Sequence, residues 1–447
     1  MRISLRNIGL IEKADVDING ITVIAGKNNT GKSTVAKSLY SVFKAFYNID
    51  DKMEKARIKN MDSTYTQMRN RIAHTRMRSL VQNHLKENNH IQLYEIIRTI
   101  DYFFADETDF KKQIESIETS NSFKDISSEE KEIWNLYKKD MLEILRASSD
   151  IYKHKVVSKY INGEFNKQVS KIHTKQSYID IKLKKKTLKI LSIDNNIIID
   201  KEESLITEDA TYIENTSLIN IIDDFSFNEE YYHDYDLISK IIPKKKTRRI
   251  SIYEKMEEIE AEQGDDDIFK EIINEEKLKN IYKKINDIAD GNLIFSNDRR
   301  IVYKSKNGDE FSIRNISAGL KTFIIIKELL MKDKIQENGV LILDEPEIHL
   351  HPELQLTLAE IIVLLQKEFN LHILLSTHSP YFLKAIEVYS KKHNISDKCK
   401  YYLTNDSNEN SIIVDDVTDK TYEIYRLLAE PYNKLHEIEN ELDNVAQ

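Results

Sequence analysis

The chain has 447 residues, 40% hydrophobic and 32% charged, enough apolar material for one large domain or two with sizeable cores. A formal net charge of −9 excludes a molecule whose whole surface is an electrostatic glove for nucleic acid, while leaving room for a local basic patch. No apolar run approaches the roughly 18 residues of a membrane span, Arg6 and Glu12 break the pattern of a secretory signal, and the single Cys399 rules out an internal disulfide or a cysteine-ligated zinc; a cytoplasmic protein without a membrane partner is expected.

The ten glycines are not evenly spread. Gly9, Gly20, Gly26 and Gly31 crowd the first 31 residues, and Gly291, Gly308, Gly319 and Gly339 crowd a later stretch. The first predicted pair of elements is the strand "ITVIA" and the helix "STVAKSLYSVF", with Gly26-x4-Gly31-Lys32-Ser33 between them. That is the phosphate-binding loop pattern in its proper strand-to-helix context. Its backbone from Gly26 through Asn28, Asn29, Thr30 and Gly31 to Thr34 forms an anion cradle at a helix N-terminus. Lys32 then reaches the β and γ phosphates, and the Ser33 hydroxyl helps to hold Mg2+.

Residues 46–175 contain one glycine and no proline. Ile133, Leu136, Tyr137, Met141, Ile144 and Leu145 recur there at three- and four-residue steps behind a capping box, Ser127 to Glu130, which predicts helices. From Ser177 to about Ser217 the pattern changes to alternation ("YIDIKLKKKTLKILSIDNNIIID"), predicting antiparallel strands and one core strand. Residues 251–288 read as helical again, and "NLIFSNDRRIVYKSKNGDEFSIRNIS" as strands joined at a turn near Asn307-Gly308.

The segment "RNISAGLKTFIIIKELL" predicts a helix beginning at Ser317 and Gly319, whose amides would bind phosphate by the same helix-terminus physics. A single site has little use for two such termini from one chain, so the second is expected from another subunit. In "GVLILDEPEIHLHP", Val340 to Leu343 form a buried parallel strand that delivers Asp344 and Glu345 at its carboxyl end. Asp344 would hold Mg2+ through water and Glu345 would polarise the attacking water. A further apolar strand, "LHILLSTHS", presents His378 near the same γ-phosphate.

The ordered set "GKNNTGKS", "NISAGLK", "LILDEPEIHLHP" and "STHSPYF" resembles the ABC-type ATPase head of RecF, SMC and OLD-like proteins. The opening "ISLRNIGLIEKADVDI" resembles the first strands of such heads, and "IYRLLAEPYNKL" the tail of small stand-alone relatives. The resemblance implies an α/β P-loop NTPase fold with a mixed sheet and a large, mainly helical insertion. Residues 1–45 and 290–400, with strands from about 177–217, would be the head; 46–176 and 218–289 the insertion; 401–447 a strand-and-helix tail. It further implies a homodimer sandwiching two ATPs with Mg2+, in which Lys32, Ser33, Asp344, Glu345 and His378 come from one chain and Ser317 and Gly319 from the other. The glutamine loop of such heads is not identifiable, Glu214-Asn215 being one location for it.

Three features point elsewhere. "KKKTRR" (244–249) would meet nucleic-acid phosphate or simply be solvated, with the acidic "GDDD" (264–267) nearby. His349-x-His351 has the look of a metal pair but belongs to a motif turn. "VDDVTD" resembles the carboxylates of a metal nuclease, yet the 69 residues after His378 are too few for the fused nuclease domain of OLD-like proteins, so nucleolytic output is expected from another polypeptide. Two functions follow from the resemblance: an anti-phage defence switch that hydrolyses slowly and controls an effector protein encoded nearby, or, alternatively, a repair or chromosome-maintenance ATPase with DNA as partner. The short stand-alone architecture favours the first.

Overall fold

The computed structural model describes residues 1–82, 104, 106–120, 123, 126–203, 206–214, 240, 278–296, 301–408 and 411–445. The chain divides into two compact units, Met1–Tyr47 with Ile161–Gln447, and Asn48–Tyr160.

The larger unit is built on a mixed sheet. Its strands are β1 (Arg2–Ile8), β2 (Ile11–Asp17), β3 (Ile21–Ala25), β4 (Gln176–Leu183), β5 (Lys186–Ile193), β6 (Asn196–Glu202), β7 (Ala210–Ile213), β11 (Val340–Asp344), β12 (His372–Thr377), β13 (Cys399–Asn408) and β14 (Ser411–Asp416). They lie in the order β6-β5-β4-β1-β2-β14-β13-β3-β12-β11-β7. The alternating sequences of β4, β5 and β6 pair antiparallel, as half-buried strands do, whereas β3, β7 and β11 are buried at every residue and pair parallel. A separate antiparallel sheet holds β8 (Asn292–Phe295), β9 (Ile301–Lys304) and β10 (Glu310–Ser312), with Gly308 at φ 93° in the turn before β10.

Helix α1 (Lys32–Phe46) follows β3, and α6 (Ala318–Met331), α7 (Pro352–Phe369) and α8 (Pro380–Lys392) complete the core. The run Phe323 to Ile326 with Leu329 and Leu330 is buried around most of the α6 circumference, which marks a core helix rather than an amphipathic surface one. Its buried Lys327 donates to Ala289 O (3.2 Å) and Gly291 O (2.9 Å), satisfying carbonyls beyond the helical residues 278–286; burial lowers the lysine's pKa.

Two expectations change here. The segment expected as a tail supplies β13, which runs parallel to β3 with Tyr401, Tyr402 and Leu403 buried. Residues 278–289, expected in the insertion, bury Leu278, Ile281, Ile285 and Ala289 in the core of the sheet-containing unit. In both cases long-range pairing and packing, which the local pattern does not encode, decide the position.

The smaller unit is helical: α2 (Ile49–Gln82), α3 (Glu107–Glu118), α4 (Ser128–Arg146) and the start of α5 (Ser149–Glu164). The predicted capping box is present, Ser127 accepting from Glu130 N–H while the Glu130 side chain accepts from Ser127 N–H. Ile58, Met61, Tyr65, Met68 and Ile72 of α2 lie at three- and four-residue steps and join one apolar cluster with Trp134, Tyr137, Met141 and Leu145 of α4. Trp134 is 1% exposed and Leu136 is 41% exposed, so the buried stripe of α4 runs through Trp134, Tyr137, Met141 and Leu145.

"KKKTRR", "GDDD", Asn215 and most of 251–288 lie outside the described residues. Among the described residues no helix is long and apolar enough to cross a membrane.

Candidate functional site

The site begins with register. Parallel pairing sets Ala25 of β3 beside Thr377 of β12 and Leu403 of β13, and Ser376 of β12 beside Asp344 of β11. All these carboxyl ends therefore open on one edge, where ligands of such sheets bind. β3 runs into the loop 26–31, and Gly31, in the left-handed region at φ 78°, turns the chain into α1.

The side chain of Lys32 is 4% exposed, and its ammonium donates to Gly26 O (3.1 Å) and Lys27 O (2.8 Å) while pairing with Glu345 Oε1 at 3.2 Å. A buried cation is tolerable only with such partners. Thr30 Oγ1 donates to Lys27 O at 2.7 Å and lies 2.6 Å from Thr404 Oγ1 of β13. A Cβ on Gly26 would fall 1.8 Å from Thr404 Oγ1, so only glycine allows the loop to lie against β13.

Asp344 is 6% exposed and both carboxylate oxygens are engaged: Ser376 Oγ donates to Oδ1, and Tyr212 O–H donates to Oδ2 at 3.2 Å. Burial, then the Asp344 charge, push the Tyr212 phenol far above its ordinary range, so it remains a neutral donor. Glu345 sits at φ 49°, a left-handed conformation that costs a non-glycine residue of order 1–3 kcal/mol. Its N–H is held by Ser376 O (3.2 Å) and Ser376 Oγ (3.0 Å). His378 Nδ1 approaches Glu345 Oε1 to 3.4 Å, with the imidazole 41% exposed.

Glu347 is buried beneath this pair. Its Oε1 accepts from Thr377 Oγ1 and from His378 N–H (3.2 Å), and burial raises its carboxyl pKa.

A cavity of about 400 Å3 is lined by Leu10, Asn28, Asn29, Thr30, Gly31, Lys32, Ser33, Thr34, Glu214, Asp344, Glu345 and Ile348. Its size falls within the roughly 300–1,000 Å3 of small-molecule sites. Of the residues expected from one chain, all but Gly26 and His378 line it, and those two adjoin it through Lys32 and Glu345. Glu214 also lines it and pairs with Lys37 at 2.8 Å.

Ser317 and Gly319 are not among the lining residues. Ser317 caps α6, accepting from Leu320 N–H at 3.4 Å, and a Cβ on Gly319 would lie 2.9 Å from Leu350 Cδ2, in the turn after Glu345. His351 in that turn caps α7. Among the described residues no group of three or more His, Cys, Asp or Glu is placed to hold a metal by itself.

Sequence reasoning missed Tyr212, Ser376, Glu347 and Thr404. Only Glu347 and Ser376 lie within the quoted motifs, and nothing in spacing marks Tyr212 or Thr404, which arrive through strand pairing.

A retron Vc95 probable ATPase from Vibrio cholerae serotype O1 biovar El Tor is 38% identical over 92 residues, or 18% of this chain and 17% of that protein. The chain thus matches about a sixth of that curated relative's length. Among solved structures, an SMC head bound to the C-winged helix domain of ScpA covers 94% of this chain and is itself covered to 98%, at 10% identity and TM-score 0.42. The SMC head domain from Thermotoga maritima gives 93% and 98%, at 10% identity and TM-score 0.34. A family model described as an AAA ATPase domain matches residues 1–383, which bears out the resemblance carried by the four motifs: the chain belongs to the AAA ATPase domain family.

Proposed function

We propose that this chain binds and slowly hydrolyses ATP with Mg2+, and that nucleotide occupancy switches it between separate and paired states that control an effector protein. The observation that carries the reading is the convergence of residues 28–34, Lys32 among them, with Asp344 and Glu345 on one cavity.

The donor set fits a magnesium triphosphate. Loop amides and the Lys32 ammonium suit phosphate oxygens. Ser33 and Asp344 offer the hard oxygen donors Mg2+ prefers, and bound Mg2+ would neutralise charge on the phosphates. Tyr212 and Ser376 hold the Asp344 carboxylate in one orientation. Glu345 is the general base toward water, and His378 supports it. Glu214 lines the same cavity.

Ser317 and Gly319 would close the site from a second copy, since Ser317 caps and Gly319 begins a helix whose N-terminus lies outside this cavity. The 92-residue alignment with a retron's probable ATPase is in keeping with a defence role. Measuring ATP binding with and without Mg2+, together with molecular mass, tests the reading. A chain that neither binds ATP nor changes its mass with it overturns the switch.

A further inference from the structure

The carboxyl-terminal helix α9 (Tyr422–Val445) has two unlike halves. Near its start Ile424 is fully buried, and Tyr425, Leu427 and Leu428 pack on the core. Glu430 pairs with Lys27 at 2.7 Å, and Pro431 follows. Beyond it, residues 431–439 and 441–443 are all exposed.

That outer half is nevertheless patterned for burial. Tyr432, Leu435, Ile438 and Leu442 are 75%, 60%, 51% and 64% exposed. Their steps of three, three and four residues set them along one face. Contiguous large apolar side chains on a surface mark a contact site rather than chance exposure.

The charges beside the stripe choose the occupant. Lys434 and His436 lie toward its amino end, and Glu439, Glu441 and Asp443 toward its carboxyl end. A parallel copy would set the three carboxylates against their own equivalents. An antiparallel copy with Leu435 opposite the partner's Leu442 brings like flanks of the stripe together and sets Lys434 near the partner's Glu441 and His436 near the partner's Asp443. Every contact then occurs twice about a two-fold axis, the mark of an isologous interface.

We propose that the outer half of α9 is a self-association surface that takes a second copy of this chain as an antiparallel helix pair, independently of nucleotide. The overlap of Tyr432 to Asp443 spans about 18 Å at 1.5 Å per residue. Such a contact belongs with the small, transient interfaces, below about 1,200 Å2, so it forms at high protein concentration.

Sedimentation equilibrium on the full chain without nucleotide, over a range of concentrations, tests this. The wild type self-associates, and Leu435→Glu, at an exposed position that the fold does not require, loses at least about tenfold in association. Lys434→Glu alone and Glu441→Lys alone each weaken association about fivefold, and the double reversal restores it. A wild type that stays monomeric, an association indifferent to Leu435→Glu, or a double reversal no better than the single variants overturns the proposal. Binding by α9 only to a different protein would appear as the first of these.

Discussion

Lys32 Nζ and Glu345 Oε1 lie 3.2 Å apart, joining the loop after β3 to the end of β11. The same ammonium holds two loop carbonyls, so it links the anion cradle to the proposed base. Truncating one partner of a buried, hydrogen-bonded charge pair costs roughly 2–5 kcal/mol. Lys32→Ala is therefore expected to weaken ATP binding by at least about thirtyfold in titration calorimetry. Near-wild-type affinity would remove Lys32 as the phosphate ligand.

Glu345→Gln keeps the side chain's shape and loses its basicity. It should retain ATP and lose about 10²- to 10⁴-fold in turnover, because general-base action is made in the transition state. Paired chains should then accumulate in ATP. An unchanged phosphate-release rate would show that another group activates water.

Ser317→Arg probes the composite site. Ser317 lies outside the cavity of its own chain, so a single chain of the variant should bind ATP normally. Hydrolysis and ATP-dependent pairing should both fail. Full activity, with no pairing in ATP, defeats the two-chain site.

Gly26→Ala should disturb the loop through β13 rather than through the nucleotide, since the new methyl would meet Thr404 Oγ1 at 1.8 Å. Nucleotide affinity should fall, and Thr404→Ala added to it should recover part of the loss by deleting that oxygen. If the double variant binds no better than Gly26→Ala, the close approach is not what fixes the loop.

Glu360 of α7 lies 2.7 Å from Lys284, 2.7 Å from Lys392 and 3.4 Å from His393. Burial alone would raise its pKa, but Lys284 and Lys392, with His393, override that and hold it at about 2, against an ordinary 4.5. A depressed carboxyl pKa stabilises the fold above the unfolded value and loses that contribution as pH falls through the folded one. Allowing for the exposure of both lysines, Glu360→Gln should cost roughly 2 kcal/mol at pH 7. The two denaturation curves should converge between pH 4.5 and 2; a gap that does not change with pH would contradict the assignment.

The phosphate loop, the acidic strand end and the Ser317 helix start were legible because each is a local pattern with its own physical signature. A buried five-residue strand before a glycine loop has few other readings, and the capping box at Ser127 and Glu130 needs only four residues to form. The apolar spacing of α4 predicts a helix but does not say which face is buried; packing against α2 selects the stripe through Trp134, Tyr137, Met141 and Leu145. Tyr212 and Thr404 were silent, since a tyrosine or threonine in a strand becomes a ligand-orienting group only when a neighbouring strand sets it there.

The sequence by itself determined the glycine loop between β3 and α1, the family of the chain and the identity of its acidic pair, because those depend on residues adjacent in the chain. Tertiary structure alone decided that β13 flanks the loop, that Tyr212 and Ser376 grip Asp344, and that Lys32 reaches Glu345. The reason is strand register: parallel neighbours are separated by long crossovers, and which ends meet is fixed by the packing of the whole sheet rather than by any one segment.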